Sequence, residues 1–374
     1  MLHALIAVVV VGGFPSLLAF FAPPETLAEV QTQTFWLLGV VLGILGIAYV
    51  VGVILRRRKE SNLNPAVVQR YIHRIRVWWL MCAILVAGFM LGRTATIVLF
   101  GLVSFWALRE FITMTPTRRA DHRALFWMFF VVTPVQYILI ATSPMFVSAF
   151  FEALGFQIKM LKQTPDFYGI YTVLIPIYAF LFIPVRSAFA GDPKRFLERT
   201  AKIQAGMFIC VYALSHAPAL LNLNLQTTDG EPWSNPNSHL PNAGLLFYFI
   251  LIVQLSEVYQ YAWGKLLGRR VIAPEVNGNR TWEGFLGGVT TTALAGTLLW
   301  WATPFRVWEA ACMSLIVSVM ALSGGMVMSA IKRDRGIKDY GTLVQGHAGV
   351  LDRIDSLCFA APVFFHLTRY FFSA

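Results

Sequence analysis

Apolar runs long enough to cross a lipid bilayer recur along almost the whole chain, and no other feature restricts its fold as much. Eleven can be placed, at residues 2–22, 35–55, 77–91, 94–108, 124–142, 168–190, 203–222, 243–264, 284–302, 307–331 and 357–373. About 20 apolar residues in a helix span the roughly 30 Å hydrocarbon slab. A water-facing surface cannot be built from what remains. Only 13% of the residues are charged and 57% are hydrophobic, whereas a soluble domain carries about 25% charge. Mean hydropathy is +0.63. The expected fold is all-α, a polytopic bundle of about eleven membrane helices. An aromatic content of 14% suits belts of Trp and Tyr at the two interfaces.

The loops carry an internal check on this reading. Segments 56–76, 109–123, 191–202, 265–281 and 332–356 are rich in Lys and Arg, while 23–34 and 223–242 contain none. With eleven spans, all five basic loops fall on one side, which the positive-inside rule makes the cytoplasm. The N-terminus is then cytoplasmic. Segment 144–160 ("MFVSAFFEALGFQIKML") would break the alternation as a further span, and it reads as a re-entrant or interfacial helix. The opening "MLHALIAVVVVGG" lacks the basic region of a signal peptide and reads as a first span. The "NRT" at Asn279 matches a glycosylation sequon, but its loop is cytoplasmic. Residues 1–76 form a two-span extension closed by a basic linker, and 77–374 form one bundle.

The net charge of +11 needs no nucleic acid to explain it. Basic loops fix topology and favour anionic lipid head groups. Cys82, Cys210, Cys312 and Cys358 lie in apolar stretches without metal-ligand spacing, so they read as free thiols.

Two polar intervals stand out from this background. The first, "SAIKRDRGIKDYGTLVQGHAGVLDRIDS", runs from Ser329 to Ser356. Topology accounts for Lys332, Arg333, Arg335 and Lys338. It does not account for Asp334, Asp339, Asp352 and Asp355, four of only 19 acidic residues in the chain. Fixed cations mixed with carboxylates suit a polyphosphate and a divalent metal. Carboxylates and waters hold Mg²⁺, and Lys and Arg neutralise phosphoryl oxygens as charge shifts. The second interval is 255–288. Glu257 lies inside an apparent span, where an ionisable group is a functional candidate by default; a Glu paired with a base to fasten helices is the plainer reading. Tyr261 and Gly264 share part of its face. Lys265, Arg269, Arg270 and Arg280 follow. Thr281 is placed to N-cap the next helix with Glu283 in its first turn. Gly284, Gly287 and Gly288 suit close helix packing.

Both intervals resemble the phosphatidate cytidylyltransferase family, also called CDP-diacylglycerol synthases. The family's C-terminal signature is S-x-x-K-R-x4-K-D-x-G-x3-P-G-H-G-G-x-x-D-R-x-D. Ser329, Lys332, Arg333, Lys338, Asp339, Gly341, Gly346, His347, Gly349, Asp352, Arg353 and Asp355 match it in register. Its upstream motif, D-x-x-A-Y-x-x-G-K-x-x-G followed by S-P-x-K-T-W-E-G-x-x-G-G, is met by Tyr261, Gly264, Lys265, Gly268, Thr281, Trp282, Glu283, Gly284, Gly287 and Gly288. The chain departs from the pattern at Glu257 for Asp, Asn277 and Gly278 for Ser-Pro, Arg280 for Lys, Gln345 for Pro and Ala348 for Gly. Many bacterial relatives also carry an Asp where this chain has Gly325.

The resemblance implies cytidylyl transfer from CTP to phosphatidate, with pyrophosphate leaving. It implies an inner (cytoplasmic) bacterial membrane, a site facing the cytoplasm, and Mg²⁺ as cofactor with a second, monovalent cation conceivable. Asp352, Asp355 and Asp339 become the expected metal ligands. Lys332, Arg333, Lys338 and Arg353 would hold phosphates, and His347 would bond a phosphate or orient a carboxylate; a purely structural loop histidine is the competing reading. Glu257, Tyr261, Lys265, Arg280, Thr281 and Ser329 would form the substrate wall. CTP, phosphatidate and membrane lipid are the expected partners, with a second copy of the chain as a candidate. Three other readings stay open: a CTP-dependent lipid-alcohol kinase, a transporter for an anionic solute, and a degenerate family member without turnover.

Overall fold

A computed structural model of the chain describes residues 27–57, 65–115, 117–142, 167–233, 242–337 and 349–373. The proposed first span, segment 144–160, Lys338, Asp339, His347, Gln345 and Ala348 lie outside these residues. The described chain forms ten helices: α1 Leu27–Arg57, α2 Pro65–Leu91, α3 Arg93–Met114, α4 Arg119–Ala141, α5 Tyr168–Ala188, α6 Phe196–Asn222, α7 Ala243–Leu267, α8 Trp282–Leu298, α9 Val307–Asp334 and α10 Leu351–Phe372. The fold is all-α, and α3, α4, α5, α6, α7 and α9 are each long and apolar enough to cross a membrane. Large apolar side chains point outward on several of them, with Leu181 61% exposed and Phe130 61% exposed. In water such a surface would aggregate; in lipid it is the solvated face.

Helices α7, α8, α9 and α10 pack in succession, and α10 also lies against α6 and α3. The α7–α8 crossing is close because glycines line it. A Cβ on Gly284 would come within 2.8 Å of the Gln260 carbonyl oxygen and 2.9 Å of Gly264 Cα. Gln260 side-chain and backbone atoms would likewise meet a Cβ on Gly288. The packing role expected of these glycines is therefore the one they perform. The core around α10 is aromatic. Phe249 of α7 stacks on Phe364 of α10 with centroids 4.8 Å apart, and Phe305 packs edge-on to Phe364.

Three neighbouring helices contain a π-helical turn: Met128–Val132 in α4, Leu174–Ala179 in α5 and Phe208–Ala213 in α6. Pro134 follows the first and Pro176 sits within the second. Neither has an N–H to give to the helical ladder, which favours such local rearrangement.

Helix ends differ from the sequence reading in two informative places. Helix α2 begins at Pro65, inside the stretch read as a basic linker, so residue 76 falls within a helix. Pro at a helix start costs nothing, because its missing N–H is among those without an intrahelical partner there. Helix α10 begins at Leu351, six residues before the apolar run that announced it. The charged interval is consequently not a free loop at either end. Lys332 and Arg333 occupy the last turn of α9, and Asp352 and Asp355 the first turns of α10. Cations at a helix C-terminus and an acid at an N-terminus both agree with the helix dipole.

Candidate functional site

The start of α10, the end of α9, the C-terminal half of α7 and the loop 268–281 meet at one end of the bundle. Asp355 of α10 is buried. Its Oδ1 accepts the backbone N–H of Ser356 at 2.7 Å and lies 3.2 Å from the Ser356 hydroxyl. The same hydroxyl donates to Oε1 of Glu257 on α7. Two carboxylates from different helices thus converge on one hydroxyl that has a single proton to offer. Two like charges brought together in a partly dry site destabilise each other unless a proton or a cation joins them.

Arg280 stands beside this pair. Its Nη1 donates to Oε1 of Gln260 at 3.0 Å. The Gln260 amide nitrogen is itself anchored, donating to the Ser256 hydroxyl at 2.9 Å and to the Ser318 carbonyl at 3.3 Å. Ser256 and Ser318 are fully buried and bonded to each other at 2.8 Å. A neutral amide therefore aims the guanidinium, and no carboxylate among the described residues pairs with it. Gly325 completes the geometry. A Cβ there would lie 3.5 Å from Nη2 of Arg280 and 3.7 Å from Oγ of Ser356. The absence of a side chain at Gly325 leaves a position onto which a guanidinium and a hydroxyl face.

Asp352 has a different setting. Its Oδ1 pairs with Nζ of Lys332 at 2.8 Å, and its Oδ2 accepts the N–H of Gly349 at 3.1 Å. It joins the end of α9 to the start of α10. Ser329, one turn before Lys332, donates to the Gly325 carbonyl at 2.6 Å and accepts from Nδ2 of Asn277 at 3.1 Å. Arg333 Nε reaches the Val276 carbonyl at 3.4 Å. The loop carrying Arg280 is tied to α9 through these two contacts, and Asn277 makes one of them. Thr281 caps α8, accepting the Gly284 N–H at 3.1 Å. Glu283 accepts the N–H groups of Arg269 and Arg270 and closes the loop from the other side.

The structure thus brings together Glu257, Arg280, Thr281, Ser329, Lys332, Arg333, Asp352 and Asp355. Arg353 lies on α10 beside Asp352. Tyr261 and Lys265 stand on the exposed side of α7, the ammonium 5.8 Å from the ring centroid. Sequence reasoning missed Gln260, Ser256, Ser318 and Ser356. One signal was available: Gln260 takes the place of the small residue in the upstream motif, one position before Tyr261, on a face that also holds Glu257.

Hard oxygen donors from Glu257 and Asp355 suit Mg²⁺ in type. Among the described residues no group of three or more His, Cys, Asp and Glu stands close enough to hold a metal ion. A cation at this pair would be shared with substrate oxygens and water, which is how Mg²⁺ usually binds at phosphate-transfer sites.

The described helices form a membrane helix bundle with two acids meeting on one hydroxyl and a guanidinium held beside them at one end. The particular family follows from comparison: the chain belongs to the cytidylyltransferase family, whose profile matches residues 72–371. An uncharacterized protein of Escherichia coli K12, YnbB, is 35% identical over 305 residues, covering 79% of this chain and 87% of that protein. A phosphatidate cytidylyltransferase of Mycobacterium leprae is 38% identical over 125 residues, 32% of this chain and 39% of that enzyme. One from Synechocystis is 32% identical over 151 residues, 40% of this chain and 51% of that enzyme. The chain thus spans about half or less of the named enzymes it matches, and most of the uncharacterized protein.

Proposed function

We propose that this protein transfers a cytidylyl group from CTP to phosphatidate, giving CDP-diacylglycerol and pyrophosphate. The observation that carries the reading is the meeting of Glu257 and Asp355 on Ser356, with the guanidinium of Arg280 held beside them by Gln260. Such a site provides what in-line displacement at a phosphorus requires: fixed cations and a place for a shared metal, with little covalent work for the protein. Family membership and the partial matches to phosphatidate cytidylyltransferases support the choice of nucleotide and lipid.

In this reading Asp355 and Glu257 would hold Mg²⁺, which would supply charge neutralisation at phosphoryl oxygens. Asp352 holds Lys332 at the rim, where its ammonium meets phosphate oxygens. Arg280 binds the triphosphate or the lipid phosphate from the opposite wall. Arg333 and Thr281 keep that wall in place through the loop and the cap of α8. Lys338, Asp339, His347 and Arg353 are further candidates for the same anion. We place the site on the cytoplasmic side of a bacterial inner membrane, with CTP entering from water and lipid from between the helices. The basic loops support that orientation.

Full-length protein in mixed micelles with radiolabelled CTP, phosphatidate and Mg²⁺ tests the proposal. A lipid-extractable CDP product supports it. In a parallel assay with γ-labelled CTP and a lipid alcohol, release of CDP with a labelled lipid phosphate supports the kinase, and absence of turnover in both assays overturns both.

A further inference from the structure

Glu110 belongs to neither motif, yet it is one of the few buried acids, 5% exposed near the end of α3. Its Oε1 accepts the N–H of Val350 at 3.1 Å and its Oε2 the N–H of Leu351 at 2.8 Å. These N–H groups open α10, about 240 positions further along the chain. A helix start leaves its first N–H groups without intrahelical acceptors, and a nearby Ser, Thr, Asp or Asn usually supplies one. Here the cap position is Val350, whose own side chain cannot cap; among the described residues the local contribution is Asp352, which accepts the Gly349 N–H and not those of Val350 or Leu351. The cap comes from another helix instead. A local cap would stabilise α10 equally well without fixing where the helix sits. A cap from α3 sets both its height and its rotation, and the negative charge meets the positive end of the helix dipole.

Asp352 and Asp355 lie one and four residues beyond Leu351. We infer that Glu110 is a positioning residue that holds the first turn of α10 so that Asp352 meets Lys332 and Asp355 meets Glu257. The inference rests on the cytidylyl-transfer reading for its effect on rate, but not for its effect on structure. Glutamine at 110 would present one acceptor and one donor to two N–H groups, so one bond is kept and the other becomes a donor–donor clash. Aspartate would keep both acceptors at shorter reach.

The test compares Glu110→Gln and Glu110→Asp with the parent, in the full-length protein in nanodiscs. Glu110→Gln is expected to lower kcat about 10- to 100-fold, the range typical of groups that orient catalytic ligands. KM for CTP should stay within about threefold, as expected when ground-state binding is untouched. Amide hydrogen exchange should quicken in peptides covering 349–356 and nowhere else. Glu110→Asp should recover part of both. Unchanged kcat in an active enzyme, unchanged exchange at 349–356, or faster exchange through the whole bundle would each overturn the inference. If the parent protein transfers no cytidylyl group, the functional reading fails by itself, and the exchange experiment still decides whether Glu110 fixes α10.

Discussion

Two clusters of acids and bases, each built around a buried aspartate, stand among the described residues, and they are built in opposite ways. The first joins the starts of α4 and α6. Arg199, 5% exposed, donates from Nε to Oδ1 of the fully buried Asp121 at 3.1 Å, from Nη2 to the Asp192 carbonyl at 3.0 Å, and from Nη1 to the Lys194 carbonyl. The second oxygen of Asp121 accepts the Arg118 N–H at 3.0 Å. Every charge there has an opposite charge or an aligned dipole. The second cluster contains Glu257, Asp355 and Arg280. Two acids share one proton donor, and the base is held by an amide. The closed cluster resembles a rivet. The open one keeps charge available at a cost in stability, as binding sites do.

Arg199→Ala is the strongest way to break this contrast. It strands Asp121 in a dry site, and removing one partner of a buried pair costs about 3–5 kcal/mol. We expect a large fall in Tm and poor expression, with turnover per folded molecule unchanged. Asp355→Asn should do the reverse. It relieves the repulsion with Glu257, so Tm should hold or rise, while label transfer from CTP falls about 10²–10³-fold, the scale of losing one preorganised electrostatic group. Thermal melts and transfer assays on both variants settle the matter. A stable, inactive Arg199→Ala, or an unstable but fully active Asp355→Asn, would invert the assignment of scaffold and site.

Much of this was legible in the sequence because lipid enforces simple rules. Apolar length marks helices, and the surplus aspartates near Lys332 mark the charged end. Helix starts were less legible. Asp352 and Asp355 read as loop residues because hydropathy falls at charged positions, whether or not the backbone stays helical. A cap from Glu110 meets the first N–H groups of α10, and that residue lies too far along the chain for any local pattern to reveal it. The Gln260–Arg280 pair hid for a related reason. Its meaning depends on Ser318, which reaches it from another helix. The π-helical turns of α4, α5 and α6 left no trace beyond two prolines.

Gln260 offers a finer test of the open cluster. Gln260→Ala removes the acceptor that aims Arg280, and a hydrogen bond to a charged group is worth about 1.5–3 kcal/mol. KM for CTP should rise about tenfold, at the low end of that energy. Gln260→Glu should raise it further, because a carboxylate would neutralise the guanidinium that the amide leaves free. Unchanged kinetics in both variants would remove Arg280 from the substrate wall.

The smallest effect is expected at the rim of the closed cluster. Asp192 accepts from Nη1 of Arg118 at 3.1 Å and from the Lys194 N–H at 3.1 Å. The Arg118 hydrogen bond, with the Lys194 N–H behind it, holds the Asp192 carboxyl below its ordinary value of 3.8. A group whose folded value is lowered contributes stability that is complete above its unfolded value and disappears as pH falls through the folded one. Asp192→Asn should therefore lower Tm slightly at pH 7, and the gap to the parent should start to narrow as pH falls below about 3.8 and vanish only below the lower folded value. The loss stays small because Arg199 bonds the Asp192 main-chain carbonyl as well as facing its carboxylate at 3.2 Å. The substitution leaves that carbonyl, the Lys194 carbonyl and Asp121 in place. If Asp192→Asn proved as damaging as Arg199→Ala, the carboxylate at the rim would be the true partner of the buried guanidinium. Asp121 would then need another reason to be buried, and the closed cluster would lose the completeness that sets it apart from the site.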